Sequence, residues 1–167
     1  MDQHFCIHRP ARALFAFGVA CILGTVILQA QPARIDFRHP AQDDVRRSNR
    51  ITAVLQDRKG FLWIGMDDGL FRYDGFSFLP FTHHAEDPRS LAEGAVTCLY
   101  EDRAGRLWIG TDSGLCRKGV SSDDFDRFRN EPSNPNSPSD SRISSLFEDD
   151  RGTLWIGTHN GLNAFDR

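Results

Sequence analysis

The sequence predicts an all-β chain. It reads as a β-propeller of four-stranded antiparallel blades, here an incomplete arc of about three blades after an N-terminal signal or anchor helix. Three observations carry this. One pattern, I/V-x-x-V/L-x-x-D-x-x-G-x-L-W-I-G-x-x-x-G-L, begins at Ile51, recurs at Val96 and recurs again at Ile143, at offsets of 45 and 47 residues. Each copy holds two turns marked by glycine. Between the turns stand short aliphatic and aromatic runs of strand length rather than helix length.

The elements follow in order within each copy. ITAVLQD, VTCLYED and ISSLFED are first strands, rich in β-branched and aliphatic residues. DRKG, DRAG and DDRG place Asp first and Gly fourth, the signature of a type I turn whose Asp caps its own backbone. FLWIG, RLWIG and TLWIG are second strands, and DDG, DSG and HNG are tight turns with Gly where φ must be positive. LFRYD, LCRKG and LNAFD are third strands; FSFLPF and FDRFRN are fourth strands of the first two copies. Apolar residues on both strand faces fit blades packed between neighbours. The connections repeat too: EDPRSLAEGAV and SNPNSPSDSRI share D/N-P-x-S, so the second is an inter-blade loop and not a disordered linker.

The first thirty residues differ. Arg9 and Arg12 precede the uncharged run Ala13–Leu28, and QAQPA follows. This reads as a secretory signal, with cleavage after Ala30, or as an uncleaved anchor; a buried core helix is the third reading. Either of the first two exports everything after residue 30. Residues 31–50 are a lead-in, in which ARIDFRH (Ala33–His39) resembles a fourth strand that completes a blade begun elsewhere. The blades then span about 51–95, 96–142 and 143–167, the last incomplete. Because the third copy stops inside a blade, the chain is expected to be an N-terminal piece of a longer protein. The rival reading is a short chain that closes by oligomerising.

Net charge is −3 with 26% charged residues, so no basic surface argues for nucleic acid. Beyond the leader only Cys98 and Cys116 remain, on first and third strands about 10 Å apart at normal spacing, beyond disulfide reach. They read as two free structural thiols.

These elements closely resemble the two-component regulator propeller repeat, known for D-x-x-G-x-L-W-I/F/V-G-T-x-x-G-L-x-R/K-Y/F. QDRKGFLWIGMDDGLFRYDGFSF (Gln56–Phe78) fits almost throughout, with Met66 where Thr is usual. The second copy departs at CRKGVSSDDFD, where an aromatic–Asp pair is expected; that alters the turn between third and fourth strands. The resemblance implies an extracytoplasmic sensor region, N-terminal to a membrane helix and a cytoplasmic output, most often a histidine kinase and in other members a diguanylate cyclase. It implies a periplasmic location within an inner-membrane protein. As partners it implies an unknown small-molecule or glycan-derived signal and the downstream blades and output domain, with a homodimer as one arrangement.

No catalytic residues, cofactor or metal are expected. Trp63, Trp108 and Trp155 recur in every copy, so they read as inter-blade packing, and Asp57, Asp102 and Asp149 as turn caps. The non-repeating positions are better ligand candidates. In an up-and-down blade the inter-blade loops and the DDG, DSG and HNG turns share one face. That face holds Asp67, Asp68, His83, His84, Asp112, Ser113, His159 and Asn160, with Met66 beside the first pair. Two other readings stay open: an exported propeller enzyme, and a free-standing binding or scaffolding propeller.

Overall fold

The computed structural model describes residues 50–166. The signal or anchor segment and the ARIDFRH strand lie outside the described residues. Eleven strands form three antiparallel sheets, with no helix among the described residues. The first blade is β1 (Ile51–Gln56), β2 (Leu62–Met66), β3 (Gly69–Tyr73) and β4 (Phe78–Phe81), paired in that order. The second is β5 (Val96–Glu101), β6 (Leu107–Thr111), β7 (Gly114–Lys118) and β8 (Phe125–Phe128). The third is β9 (Ile143–Glu148), β10 (Leu154–Thr158) and β11 (Gly161–Phe165). The first strands β1, β5 and β9 touch in succession, which is how propeller blades converge on an axis. The all-β propeller architecture is therefore as the sequence indicates.

The fourth strand is shorter than FSFLPF suggests. Asp74 Oδ1 accepts from the Phe76 and Ser77 amides at 2.8 Å each, so those residues belong to the turn and Phe76 is 93% exposed. The departure in the second copy is confined to one connection, as expected. Tyr73 pairs with Phe78, whereas Lys118 pairs with Phe125, so six residues replace four.

Each DRKG-type turn closes as a type I turn: the Gly60, Gly105 and Gly152 amides donate to the Asp57, Asp102 and Asp149 carbonyls at 2.9–3.0 Å. The aspartate does more than cap. Its Oδ1 accepts two backbone amides, and its Oδ2 accepts the indole Nε1 of the tryptophan six residues on, at 2.8 Å for Trp63, 2.8 Å for Trp108 and 3.0 Å for Trp155. The repeated Asp and Trp are thus one unit. The indole, which must be buried to fill the gap between blades, needs an acceptor there.

Burial raises the Asp102 carboxyl, but the Trp108 indole, the Arg106 amide and the Arg106 guanidinium outweigh it and hold the group below its usual range. Asp149 is also lowered, chiefly by the Trp155 indole, against a smaller desolvation. A folded value below the unfolded one means the ionised form favours the fold. Stability is fully present above the unfolded value of about 4 and is lost as pH falls through the folded values. The melting temperature is therefore expected to fall as pH drops from about 5 to about 3. Asp149→Asn should flatten that slope in calorimetric scans at stepped pH.

The blades join through a repeated seam. Trp63 lies in one core with Leu107, Ile109 and Phe125 of the second blade; Trp108 lies in another with Ile143, Leu154 and Ile156 of the third. In the first two copies the glycine of L-W-I-G faces the first residue of the next blade. A Cβ on Gly65 would meet Val96 Cγ1 at 2.5 Å, and one on Gly110 would meet Ile143 Cγ2 at 2.8 Å. Pairing registers shift at the start of β5 and toward the start of β9, where these two side chains enter the seam; bulges commonly re-aim a side chain in this way. Polar bonds repeat as well. The Arg58 amide donates to Glu101 and the Arg103 amide to Glu148, at 3.0 and 2.8 Å. The same guanidinium groups donate to the Arg103 and Asp150 carbonyls at 2.8 Å each.

Candidate functional site

The β2–β3, β6–β7 and β10–β11 turns each close on a positive-φ glycine, and in the last two a threonine adds side-chain bonds. Thr111 Oγ1 donates to the Gly114 carbonyl at 2.9 Å and accepts the Ser113 amide at 3.1 Å; Thr158 repeats this with Gly161 and Asn160. Gly114 has φ 154°, and a Cβ there would lie 2.9 Å from the Phe128 carbonyl oxygen, so the fourth strand excludes any side chain. Met66 replaces the threonine in the first blade. It is fully buried and packs with Ile64 and Phe71, so it belongs to the core and not to an accessible face.

Held by these turns, Asp67, Asp68, Asp112, His159 and Asn160 are exposed and Ser113 is half-buried. The Asp112 amide donates to the Ala95 carbonyl and the His159 amide to the Arg142 carbonyl, at 3.1 Å each. Each turn is thereby tied to the segment leading into its own blade. Asp112 and Ser113 also lie against Gly94.

His83 and His84 sit in the inter-blade loop, which is more ordered by bonding than its composition suggests. Asp87–Ser90 is a turn with Pro88 at its second position, closed by the Ser90 amide on the Asp87 carbonyl at 3.1 Å. Ser90 Oγ accepts the His84 amide at 2.8 Å and lies within hydrogen-bond reach of the His84 and Asp87 carbonyls. Ser137 makes the same set with Glu131 and Asn134 in the second loop. The His83 ring Nδ1 lies 3.0 Å from the Leu91 carbonyl. Leu91 and Ala92 are buried in the seam core with Trp63 and Phe125. His84 lines a shallow groove with Phe81, Asp87, Arg89 and Ser90.

Sequence reasoning missed Arg127, whose Nε donates to the Ser90 carbonyl at 2.6 Å and whose Nη2 donates to the Asp87 carbonyl at 2.9 Å. The repeated D/N-P-x-S was the available signal. Ser90→Ala removes Oγ, which accepts from both the His84 amide and Arg127 Nη2, and leaves the two carbonyl bonds to Arg127 in place; a loss of about 2 kcal/mol is expected in denaturant unfolding.

Cys98 and Cys116 are free, as expected. Burial pushes the Cys116 thiol up to about 11 and raises Cys98 too, which keeps both as unreactive thiols. No group of three or more His, Cys, Asp or Glu among the described residues is placed to hold a metal ion.

Repeat, blade and seam together define a propeller-repeat protein. A sequence model of the family described as Two component regulator propeller matches residues 46–68, 90–113 and 137–160. The chain therefore carries three repeats of the two-component regulator propeller family, as its residues indicate. No curated protein matches the chain. Among solved structures it is similar to the extracellular domain of the hybrid two component system BT3049 from B. thetaiotaomicron, at TM-score 0.66 and 22% identity, over 71% of this chain and 17% of that one. It is similar to the extracellular domain of BT4673 from the same organism, at TM-score 0.60 and 22% identity, over 76% and 16%. It also resembles PorZ, an essential surface component of the type-IX secretion system of Porphyromonas gingivalis, at TM-score 0.52 and 26% identity, over 71% and 18%. The chain thus spans about a sixth of the length of these solved chains.

Proposed function

We propose that this chain is an extracytoplasmic sensory input segment. In this reading its blades help to bind a small-molecule or glycan-derived signal outside the inner membrane and pass the event to an output domain, a histidine kinase in the first instance. The triple match to the two-component regulator propeller carries the reading. The likeness to extracellular domains of hybrid two component systems supports it. The turn face bearing Asp67, Asp68, Asp112, Ser113, His159 and Asn160, with His83 and His84 in the adjoining loop, is the surface we assign to the signal. Its side chains differ between blades while the glycine that closes each turn does not.

Two measurements test this. Alkaline phosphatase fused after Asp166 should be active in a Gram-negative host and inactive when residues 1–30 are deleted. In the intact protein, alanine at Asp112, His159 or Asn160 should weaken signal-dependent phosphotransfer without lowering the melting temperature. An inactive fusion overturns export; unchanged phosphotransfer in every variant overturns the assigned face. The likeness to PorZ favours a second reading, an exported scaffolding propeller, which an absence of any phosphotransfer would support.

A further inference from the structure

A cleft of about 300 Å³ opens between the first and second blades, at the end bearing the DRKG-type turns and opposite the assigned face. Two departures from the repeat create it. Arg72 and Arg117 hold the same repeat position. Arg117 faces Asp126 across β7–β8, with Nη2 2.6 Å from its carboxylate. Arg72 faces Leu79, so its own blade offers no carboxylate there. Its guanidinium lies 4.8 Å from the Phe61 ring centre and 5.8 Å from that of Trp63.

Lys118 is the second departure, standing where the other blades have Tyr73 and Phe165. Its side chain is only 8% exposed, and its Nζ lies 5.8 Å over Trp63. The ammonium donates to the Ser122 carbonyl at 2.5 Å and lies 3.5 Å from that of Gly119. A buried ammonium also needs a counter-charge. Asp123 supplies it, with Oδ1 3.1 Å from Lys118 Nζ and 3.9 Å from Arg72 Nη1. This one carboxylate therefore serves two cations. It is 63% exposed and rides on the longer β7–β8 connection.

The other charges at the cleft are committed. Asp57 accepts two amides and the Trp63 indole, Glu101 accepts the Arg58 amide, and Lys59 Nζ donates to the Val120 carbonyl. What remains is an Arg–Lys pair beside an aromatic wall, half-neutralised by a carboxylate that solvent can reach.

From this arrangement we infer that the cleft binds the carboxylate of a small organic acid, which displaces Asp123 from Arg72 and Lys118 while the body of the acid lies along Phe61. This site is independent of the turn face and of any output domain.

The test uses the full chain labelled with ¹⁵N, benzoate as probe and benzyl alcohol as the uncharged control. The Trp63 indole resonance reports binding; those of Trp108 and Trp155 report an intact fold. Benzoate at about 10 mM, above the millimolar affinity expected of so small an acid, should shift the Trp63 signal, and benzyl alcohol should not. Asp123→Asn, which removes the competing charge, should tighten benzoate binding about tenfold, and Arg72→Gln should weaken it about tenfold. The inference is overturned by an unmoved Trp63 signal, by an equal response to benzyl alcohol, or by benzoate binding indifferent to Asp123→Asn.

Discussion

Asp102→Ala is expected to cost about 4 kcal/mol of folding stability. The carboxylate is fully buried and accepts four bonds, from the Ala104 and Arg106 amides at 2.9 Å each, Arg106 Nε at 2.7 Å and Trp108 Nε1 at 2.8 Å. Alanine leaves all four donors without this acceptor. The guanidinium can turn to solvent, because the Arg106 side chain is a quarter exposed. The Trp108 indole cannot, because the whole residue is buried between blades. Its orphaned N–H alone costs about 1–3 kcal/mol. Asp102→Asn keeps one acceptor oxygen but turns an amide N–H₂ toward donors, so it should fall between wild type and alanine. Denaturant melts of both variants decide the matter. A loss under about 1 kcal/mol for alanine would mean the residue only shapes its turn and the indole bond contributes nothing.

Gly110→Ala is expected to cost about 3 kcal/mol, through overpacking rather than lost bonding. The new methyl would sit 2.5 Å from Cys98 Sγ, 2.8 Å from Ile143 Cγ2 and 3.0 Å from Ile143 Cβ, so both its own first strand and the next blade must move. Gly60→Ala is the control. It has φ 89° and nothing within 4 Å of the new Cβ, so it should show backbone strain alone, about 1 kcal/mol. The clash predicts coupling as well. Ile143→Ala removes one of the colliding atoms, so the double variant should be less destabilised than the sum of the two single changes. Strict additivity would place the strain within the second blade rather than at the seam.

The strands and turns were legible in the sequence because each is fixed locally. The spacing of Asp57 to Gly60 is a turn whatever surrounds it. Phe76 was misread as the start of a strand because its aromatic character favours pairing, while Asp74 captures its amide for the turn. The contacts between blades were harder to see. Gly65 and Gly110 look like ordinary strand glycines until Val96 and Ile143, more than thirty residues on, come to lie against them. The Asp–Trp spacing of six was visible in every copy, but a pattern of strand and turn does not say that the indole returns over the carboxylate. Of the candidate site, exposure of the turn residues follows from the tight turns. The burial of Met66 does not, since its place in the core is set by Ile64 and Phe71 packing beside it. Arg72 and Arg117 make the point most directly. They are the same residue at the same repeat position, yet the residue across the ladder, Leu79 or Asp126, leaves one to the Asp123 of the next blade and pairs the other within its own.

The seam has an evolutionary consequence. Glycine against Val96 or Ile143, and arginine amide against Glu101 or Glu148, are drawn wholly from positions that recur once per copy. A gene that gains or loses the second copy therefore regenerates the same junction on either side, and no compensating change is needed elsewhere. A duplication out of phase would set a side chain against a side chain where a glycine must stand. Selection can then lengthen or shorten such an array only in whole units, leaving the non-repeating connections free to diverge one blade at a time.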